Sequence, residues 1–272
     1  METFVKEIAD DLVKIRERKP LVHHITNFVV MNETANMTLC LGALPVMAHA
    51  REEVEEMVGF AGALLLNIGT LVPELIESMI IAGKKANALG VPVVLDPVGA
   101  GATTLRTEAV KSLLKDVKMA VIRGNSAEIG ILAGAGGEIK GVEAIGKNEH
   151  IVDAARSLAK SEGCVVSVTG AEDTITDGER IAFVRNGDAM MATITGTGCM
   201  STTITAGFAA VQNDYFTAAT GALAVFGIAG ERAAASTQGK PGSFHAALYD
   251  AVYALDSDAI IREANLRIEL PV

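Results

Sequence analysis

The sequence predicts an α/β domain with a mainly parallel central sheet and helices on both faces. Two observations predict it. Short apolar runs alternate with longer amphipathic stretches through the first two-thirds of the chain, and those runs are apolar on both faces, as strands covered from two sides must be. No Pro/Ser-rich linker, charge block or internal repeat breaks the pattern, so residues 1–272 read as one domain. Half of the residues are hydrophobic and 21% are charged, which is enough to bury a sizeable core.

In chain order, LVHHIT ending at Thr26 and LPV ending at Val46 read as strands. Next come 63–67 (ALLLN), 91–96 (VPVVLD), 119–123 (MAVIR) and 164–169 (CVVSVT), all buried strands by composition. Residues 72–88, 104–114 and 151–160 carry helical periodicity with charges on one side. The segment 173–180 (DTITDGER) followed by 181–185 predicts an antiparallel hairpin at the sheet edge, turned at Asp177-Gly178. After Gly196 the chain is alanine-rich and helical to near Ala254, and the C-terminal tail is expected to pack on the surface. The Gly-rich stretch 134–146 is the expected flexible connector.

Charge and cysteine usage narrow the function. With 23 Lys+Arg against 33 Asp+Glu, the net charge of −10 opposes the electrostatic grip that nucleic acids require. It leaves room for a small anionic ligand, which backbone N–H groups can hold whatever the net charge. Cys40, Cys164 and Cys199 are odd in number and far apart, so neither a disulfide framework nor a CxxC metal site is expected. The N-terminus has no apolar core of a signal peptide, and the longest apolar runs fall short of a membrane span. A reduced cytoplasmic setting is the expectation.

In an open parallel sheet, ligands bind beyond the carboxyl ends of the strands. The residues there are Asn27, Met47, Asn67 and Gly69, Asp96, Arg123 and Asn125, and Thr169, all polar or small but Met47. Each alone reads as a turn former; the set is the signal. The strongest local motif is Ile194-Thr195-Gly196-Thr197-Gly198-Cys199-Met200-Ser201-Thr202. It reads as a strand end, two glycines that admit close backbone approach, and a helix start whose N–H groups favour a phosphoryl group in flight. GxG pairs are common, as Gly99-Ala100-Gly101 and Gly134-Ala135-Gly136 show. No GxxxxGK[ST] occurs, and no GxG has the third glycine of a dinucleotide fingerprint.

Asn125-Ser126-Ala127-Glu128 has the pattern of a capping box. Functionally, Asp96 and Glu128 could approach Mg²⁺ through water, and Arg123 could hold a polyphosphate. Cys199, in a first helical turn beside two glycines, is expected to have a lowered thiol pKa. His23 and His24 should point to opposite faces of a strand, which favours one buried hydrogen-bonded histidine over a metal site. His49 and His150 sit in surface-like contexts.

PLVHHITNFVVMNETANMTLCLGALPVMA, LLLNIGTL, VVLDPVGAGAT, IRGNSAEI, VTGAEDTITDG and TGTGCMST, in this order from Pro20 to about Gly230, resemble the hydroxyethylthiazole kinase family. The resemblance implies a ribokinase-like fold and Mg²⁺-dependent phosphorylation of 4-methyl-5-(2-hydroxyethyl)thiazole by ATP, in thiamine salvage. It implies a homotrimer with active sites between subunits. It further implies that Asn27, Met47, Gly69 and Gly196 contact the thiazole alcohol, that Arg123 and Thr169 contact ATP, and that Asp96 and Glu128 organise Mg²⁺. The turn Gly196-Thr197-Gly198 would form the anion hole. Cys199 stands where the wider group carries an Asp general base. A thiolate there could take the hydroxyl proton, or positioning and charge stabilisation could carry nearly the whole rate, the reading favoured here because a loose transition state needs little early proton removal. A kinase for hydroxymethylpyrimidine or pyridoxal would share the fold but keep the Asp, and a binding protein would keep the pocket without the chemistry.

Overall fold

The computed structural model describes residues 2–134 and 148–270. The chain opens with α1 (Glu2–Arg18), β1 (Leu21–Ile25), α2 (Met31–Leu41), β2 (Leu44–Val46) and the short α3 (Val54–Val58). Then β3 (Ala63–Asn67), α4 (Pro73–Leu89), β4 (Val93–Asp96), α5 (Thr104–Asp116), β5 (Val121–Asn125) and α6 (Ser126–Leu132) alternate. Next, α7 (Asn148–Glu162) leads to β6 (Val165–Thr169), β7 (Asp173–Thr176) and β8 (Ile181–Val184). Four helices follow, α8 (Thr197–Ala209), α9 (Tyr215–Thr237), α10 (Pro241–Ala254) and α11 (Ser257–Glu263), before β9 (Leu266–Glu269).

The strands form one nine-stranded sheet in the order β2-β1-β3-β4-β5-β6-β7-β8-β9. The first six are parallel, with β3 at the centre of the alternation: Leu64 pairs with Val93, and Asn67 with Asp96. The last three are antiparallel. Along β3 the side chains divide between two cores. Leu65 faces α1 and α8–α11, while Leu64 and Leu66 face α4, α5 and α7. Continuous apolar composition in 63–66 is the consequence of that double cover.

The predicted strands and helices appear within a few residues of their expected bounds, and the hairpin turns at Asp177-Gly178, with Gly178 at φ +95°. Three expectations change. The C-terminal tail lies at the surface as an ordered strand rather than a loose tail: 266–269 pair with β8 and become the sheet edge, so the hairpin is interior to that edge. The residues before Gly196 are a 3₁₀ turn (Ala189–Thr193) rather than a strand, with Asp188 capping it through the Met190 amide. His23 and His24 do face opposite sides, yet both are fully buried because both faces of the sheet are covered. His23 Nε2 bonds the Ala48 carbonyl at 2.7 Å and His24 Nε2 the Thr38 hydroxyl at 3.1 Å. His49, half-buried, accepts the Thr26 amide at 3.2 Å, whereas His150 is exposed. Apart from Gly134, the expected connector 134–146 lies outside the described residues, as does most of its GxG pair.

Candidate active site

The carboxyl ends of the parallel strands and the start of α8 bring the predicted residues to two adjoining cavities. Asn27, Gly69, Asp96, Glu128, Gly196 and Cys199 line one of about 380 Å³. Thr169, Asp173, Met191, Thr197, Ser201 and Phe226 line another of about 540 Å³. Arg123 and Gly198 are the two residues that border both. Met47 is half-buried beyond β2 and lines neither cavity.

Gly196 caps α8 in the left-handed region at φ +87°, a conformation that a Cβ would strain, and an added Cβ would come within 2.9 Å of Val30. The N–H groups of Thr197, Gly198 and Cys199 head the helix and have no acceptor within it. Arg123 lies against this turn, so close that a Cβ on Gly198 would stand 2.8 Å from Nη1. Its Nη2 donates to Thr169 Oγ1 at 2.8 Å, and Nη1 lies 3.9 Å from Asp96 Oδ1. A buried guanidinium and a helix N-terminus thus converge on the boundary between the cavities, where an anion gains from both.

Behind that boundary is a hydrogen-bonded hub centred on Asn67, which is fully buried. Asn67 Nδ2 donates to Asp96 Oδ2 at 2.8 Å and to Cys199 Sγ at 3.2 Å. Asn67 Oδ1 accepts from Asn27 Nδ2 at 2.8 Å and from the Gly69 amide at 2.9 Å. Thr202 Oγ1 donates a second bond to Asp96 Oδ2 at 2.9 Å. One carboxylate oxygen is therefore saturated, and Asp96 Oδ1 is buried without a hydrogen-bond partner. Burial pushes the Asp96 carboxyl up to about 6, against the pull of Arg123 and with a further push from Glu128.

Cys199 departs from its expected acidity. Burial pushes the thiol up to about 12, and the neighbouring Asp96 charge adds to the effect. The amides of Asn67 and Asn27, the latter at 3.6 Å, pull the other way and do not compensate. The helix N-terminus is outweighed by desolvation, so the sulfur is a protonated hydrogen-bond acceptor at neutral pH.

Asn125 and Glu128 do form the capping box. The Asn125 side chain accepts the Ala127 and Glu128 amides, and Glu128 Oε2 accepts the Asn125 amide at 2.8 Å. Glu128 Oε1 reaches further, to the Gly99 amide at 2.8 Å, so the Gly99-Ala100-Gly101 turn buttresses Glu128 without lining either cavity. Among the described residues no three His, Cys, Asp or Glu side chains gather as a metal cage. Magnesium does not need one, since it keeps several waters and takes one or two carboxylates beside substrate phosphates. Asp96 Oδ1, which has no hydrogen-bond partner, and Glu128 across the same cavity fit such an ion.

Sequence reasoning placed Asn67 at a strand end without giving it a role, and it passed over Thr202, Arg106 and Asp173. Thr202 lies within the glycine motif and could have been read from it. Apart from the nearby Gly69, the partners of Asn67 come from three separate segments, which no local pattern announces.

Comparison with known proteins gives the family. Residues 12–258 match the hydroxyethylthiazole kinase family. A Roseiflexus sp. (strain RS-1) protein named hydroxyethylthiazole kinase is 55% identical over 266 residues, covering 98% of each chain. One from Thermoanaerobacter pseudethanolicus is 58% identical over 95% of this chain and 99% of its own. The structure of a hydroxyethylthiazole kinase protein from Pyrococcus horikoshii OT3 superposes with a TM-score of 0.90 at 45% identity, covering 97% of this chain and 99% of that one. A Staphylococcus aureus pyridoxal kinase in complex with AMP-PCP shares the fold, with a TM-score of 0.58 at 17% identity over 78% of this chain and 88% of that one.

Proposed function

The chain belongs to the hydroxyethylthiazole kinase family, and from that membership we propose that it phosphorylates the hydroxyl of hydroxyethylthiazole with ATP and Mg²⁺. The observation that carries the reading is the pair of cavities meeting at Arg123 and Gly198. The smaller takes the alcohol between Asn27, Gly69 and Gly196. The larger takes the nucleotide, with Met191 and Phe226 offering an apolar wall for the base and Thr169 and Thr197 facing the phosphates. The transferred phosphoryl group then crosses where Arg123 and the Gly196-Thr197-Gly198 turn supply fixed donors. Mg²⁺, held through water by Asp96 and Glu128, would neutralise charge on the phosphates.

Within this reading Cys199 positions the alcohol and is not its base, because its thiol is protonated at neutral pH and its sulfur already accepts two amides. Cys199→Ser keeps an acceptor at the same place. It is expected to retain alcohol KM and lose about tenfold or less in kcat, whereas removing a working general base costs about 10²–10⁴-fold. A loss in that larger range at unchanged KM would make Cys199 the base.

The reading includes one folded domain and a homotrimer. Met47 would reach the alcohol site of a neighbouring copy, in keeping with its distance from this chain's own cavities. Val29, which lines the alcohol cavity, is 61% exposed, and Phe28 beside it is 60% exposed, which also suits cover by a second subunit. Light scattering should give three times the chain mass. No described helix is long and apolar enough to cross a membrane. Three free cysteines, two of them buried, suit a reducing cytoplasm.

The decisive assay is coupled ADP release with ATP, Mg²⁺ and hydroxyethylthiazole, with hydroxymethylpyrimidine and pyridoxal in parallel. Turnover with the thiazole alcohol alone is expected. Binding of that alcohol without ADP release under any of the three would overturn the kinase reading.

A further inference from the structure

Arg106 is the third residue of α5, in the first turn, where the helix dipole disfavours a cation. Among the described residues it forms no ion pair. Its guanidinium instead spans two loops. Nη1 donates to the carbonyls of Ile68 at 2.9 Å and Val98 at 2.6 Å, and Nη2 donates to the Gly69 carbonyl at 2.7 Å. Ile68 and Gly69 follow β3, and Val98 follows β4. These strands pair as far as Asn67 and Asp96, and beyond that register the one backbone bond between them among the described residues is from the Ile68 amide to the Asp96 carbonyl, at 3.3 Å.

Arg106 therefore continues the junction of β3 and β4 past the point where the ladder gives out. The loops it joins are the ones that line the alcohol cavity, through Gly69 on one side and Val98 on the other. The next residue, Gly99, sits at φ +74°, and a Cβ there would come 3.2 Å from Arg106 Cδ. The Gly99 amide in turn holds Glu128 Oε1. A planar fork serves three carbonyls on two loops from two separate nitrogens at fixed angles, whereas the three donors of a lysine radiate from one nitrogen and do not reproduce that spacing. Arg106 itself lines neither cavity.

We propose that Arg106 is a positioning residue for the alcohol site, setting the separation of the Gly69 and Val98 loops and thereby the seat of the alcohol. This rests on the smaller cavity being the alcohol site. A misplacement of about 1 Å at a reacting centre can cost about 10²-fold, so a device that fixes loop spacing is worth a poorly placed cation.

The test compares Arg106→Lys and Arg106→Ala with the parent enzyme in three measurements: steady-state kinetics, calorimetric binding of hydroxyethylthiazole without nucleotide, and thermal unfolding. Both variants should raise alcohol KM and the calorimetric Kd about tenfold or more, with ATP KM within about twofold of the parent. Millimolar guanidinium should partly restore alcohol binding to Arg106→Ala, and equal sodium chloride should not. Unchanged alcohol affinity in both variants would overturn the proposal. So would parallel loss of ATP and alcohol affinity in Arg106→Lys with a lowered Tm, which would mark a general structural role. If the parent binds the alcohol and releases no ADP, the kinase reading fails, while the calorimetric comparison still decides the role of Arg106.

Discussion

Arg123→Ala is expected to lower kcat by about 10²–10³-fold, the cost of losing one pre-aimed donor at a centre of developing charge. The side chain is buried, 8% exposed, and fixed before any ligand arrives by its bond to Thr169 and its place against Gly198. On the proposed reading, in which phosphoryl charge develops at the boundary of the two cavities, no reorganisation is then needed. Arg123→Lys should recover little, because an ammonium cannot bond Thr169 and a phosphoryl oxygen in the same fork geometry. ATP KM should rise in both variants while calorimetric binding of the alcohol alone stays near that of the parent. Less than fivefold loss of kcat in Arg123→Ala would remove this residue from the transfer step.

Asp96→Asn should lose activity by a comparable factor and at the same time make the protein more stable at neutral pH. The carboxyl titrates near 6 in the folded chain against 3.8 in its ordinary state, chiefly because it is buried. Between those values the folded state binds more protons than the unfolded one, so stability falls as pH rises through that window. The cost is absent below the lower value and complete above the upper, and such a difference corresponds to about 3 kcal/mol. An asparagine can keep the bonds from Asn67 and Thr202 to its carbonyl oxygen and carries no charge. Urea unfolding without metal or nucleotide should therefore show little gain for Asp96→Asn near pH 4 and the full gain near pH 8. An equal gain at both would mean that burial of the charge is not its source. On the proposed reading the buried carboxylate is kept for Mg²⁺, which Oδ1, the oxygen without a hydrogen bond, would face.

Much of this was legible in the sequence, for identifiable reasons. A strand covered on both faces is apolar over most of its length, so 63–67 appears in the structure with its expected bounds. Polar residues at strand ends converge because parallel strands end on one side of the sheet. The sequence reading fails where the cause lies between distant segments. β9 is four residues with half-buried and exposed positions in alternation, so it has no apolar run to betray it and exists because β8 offers an open edge. The acidity of Cys199 was judged from its helix, whereas the deciding groups, Asp96 and the surrounding burial, come from elsewhere in the chain. Arg106 looks like any charged residue on a helix, since its three acceptors are backbone carbonyls whose direction no side-chain pattern encodes.

The position of β9 bears on the chain as it is made. β8, whose four residues are all buried in the finished sheet, pairs with β7 at once through a short hairpin. Its other edge is filled only after α8, α9, α10 and α11 have been synthesised. For that interval a ribosome-bound nascent chain carries an open row of N–H and C=O groups on an apolar strand, the kind of edge that recruits strands from other molecules. The four helices delay the protection of that edge, and β9 ends the exposure.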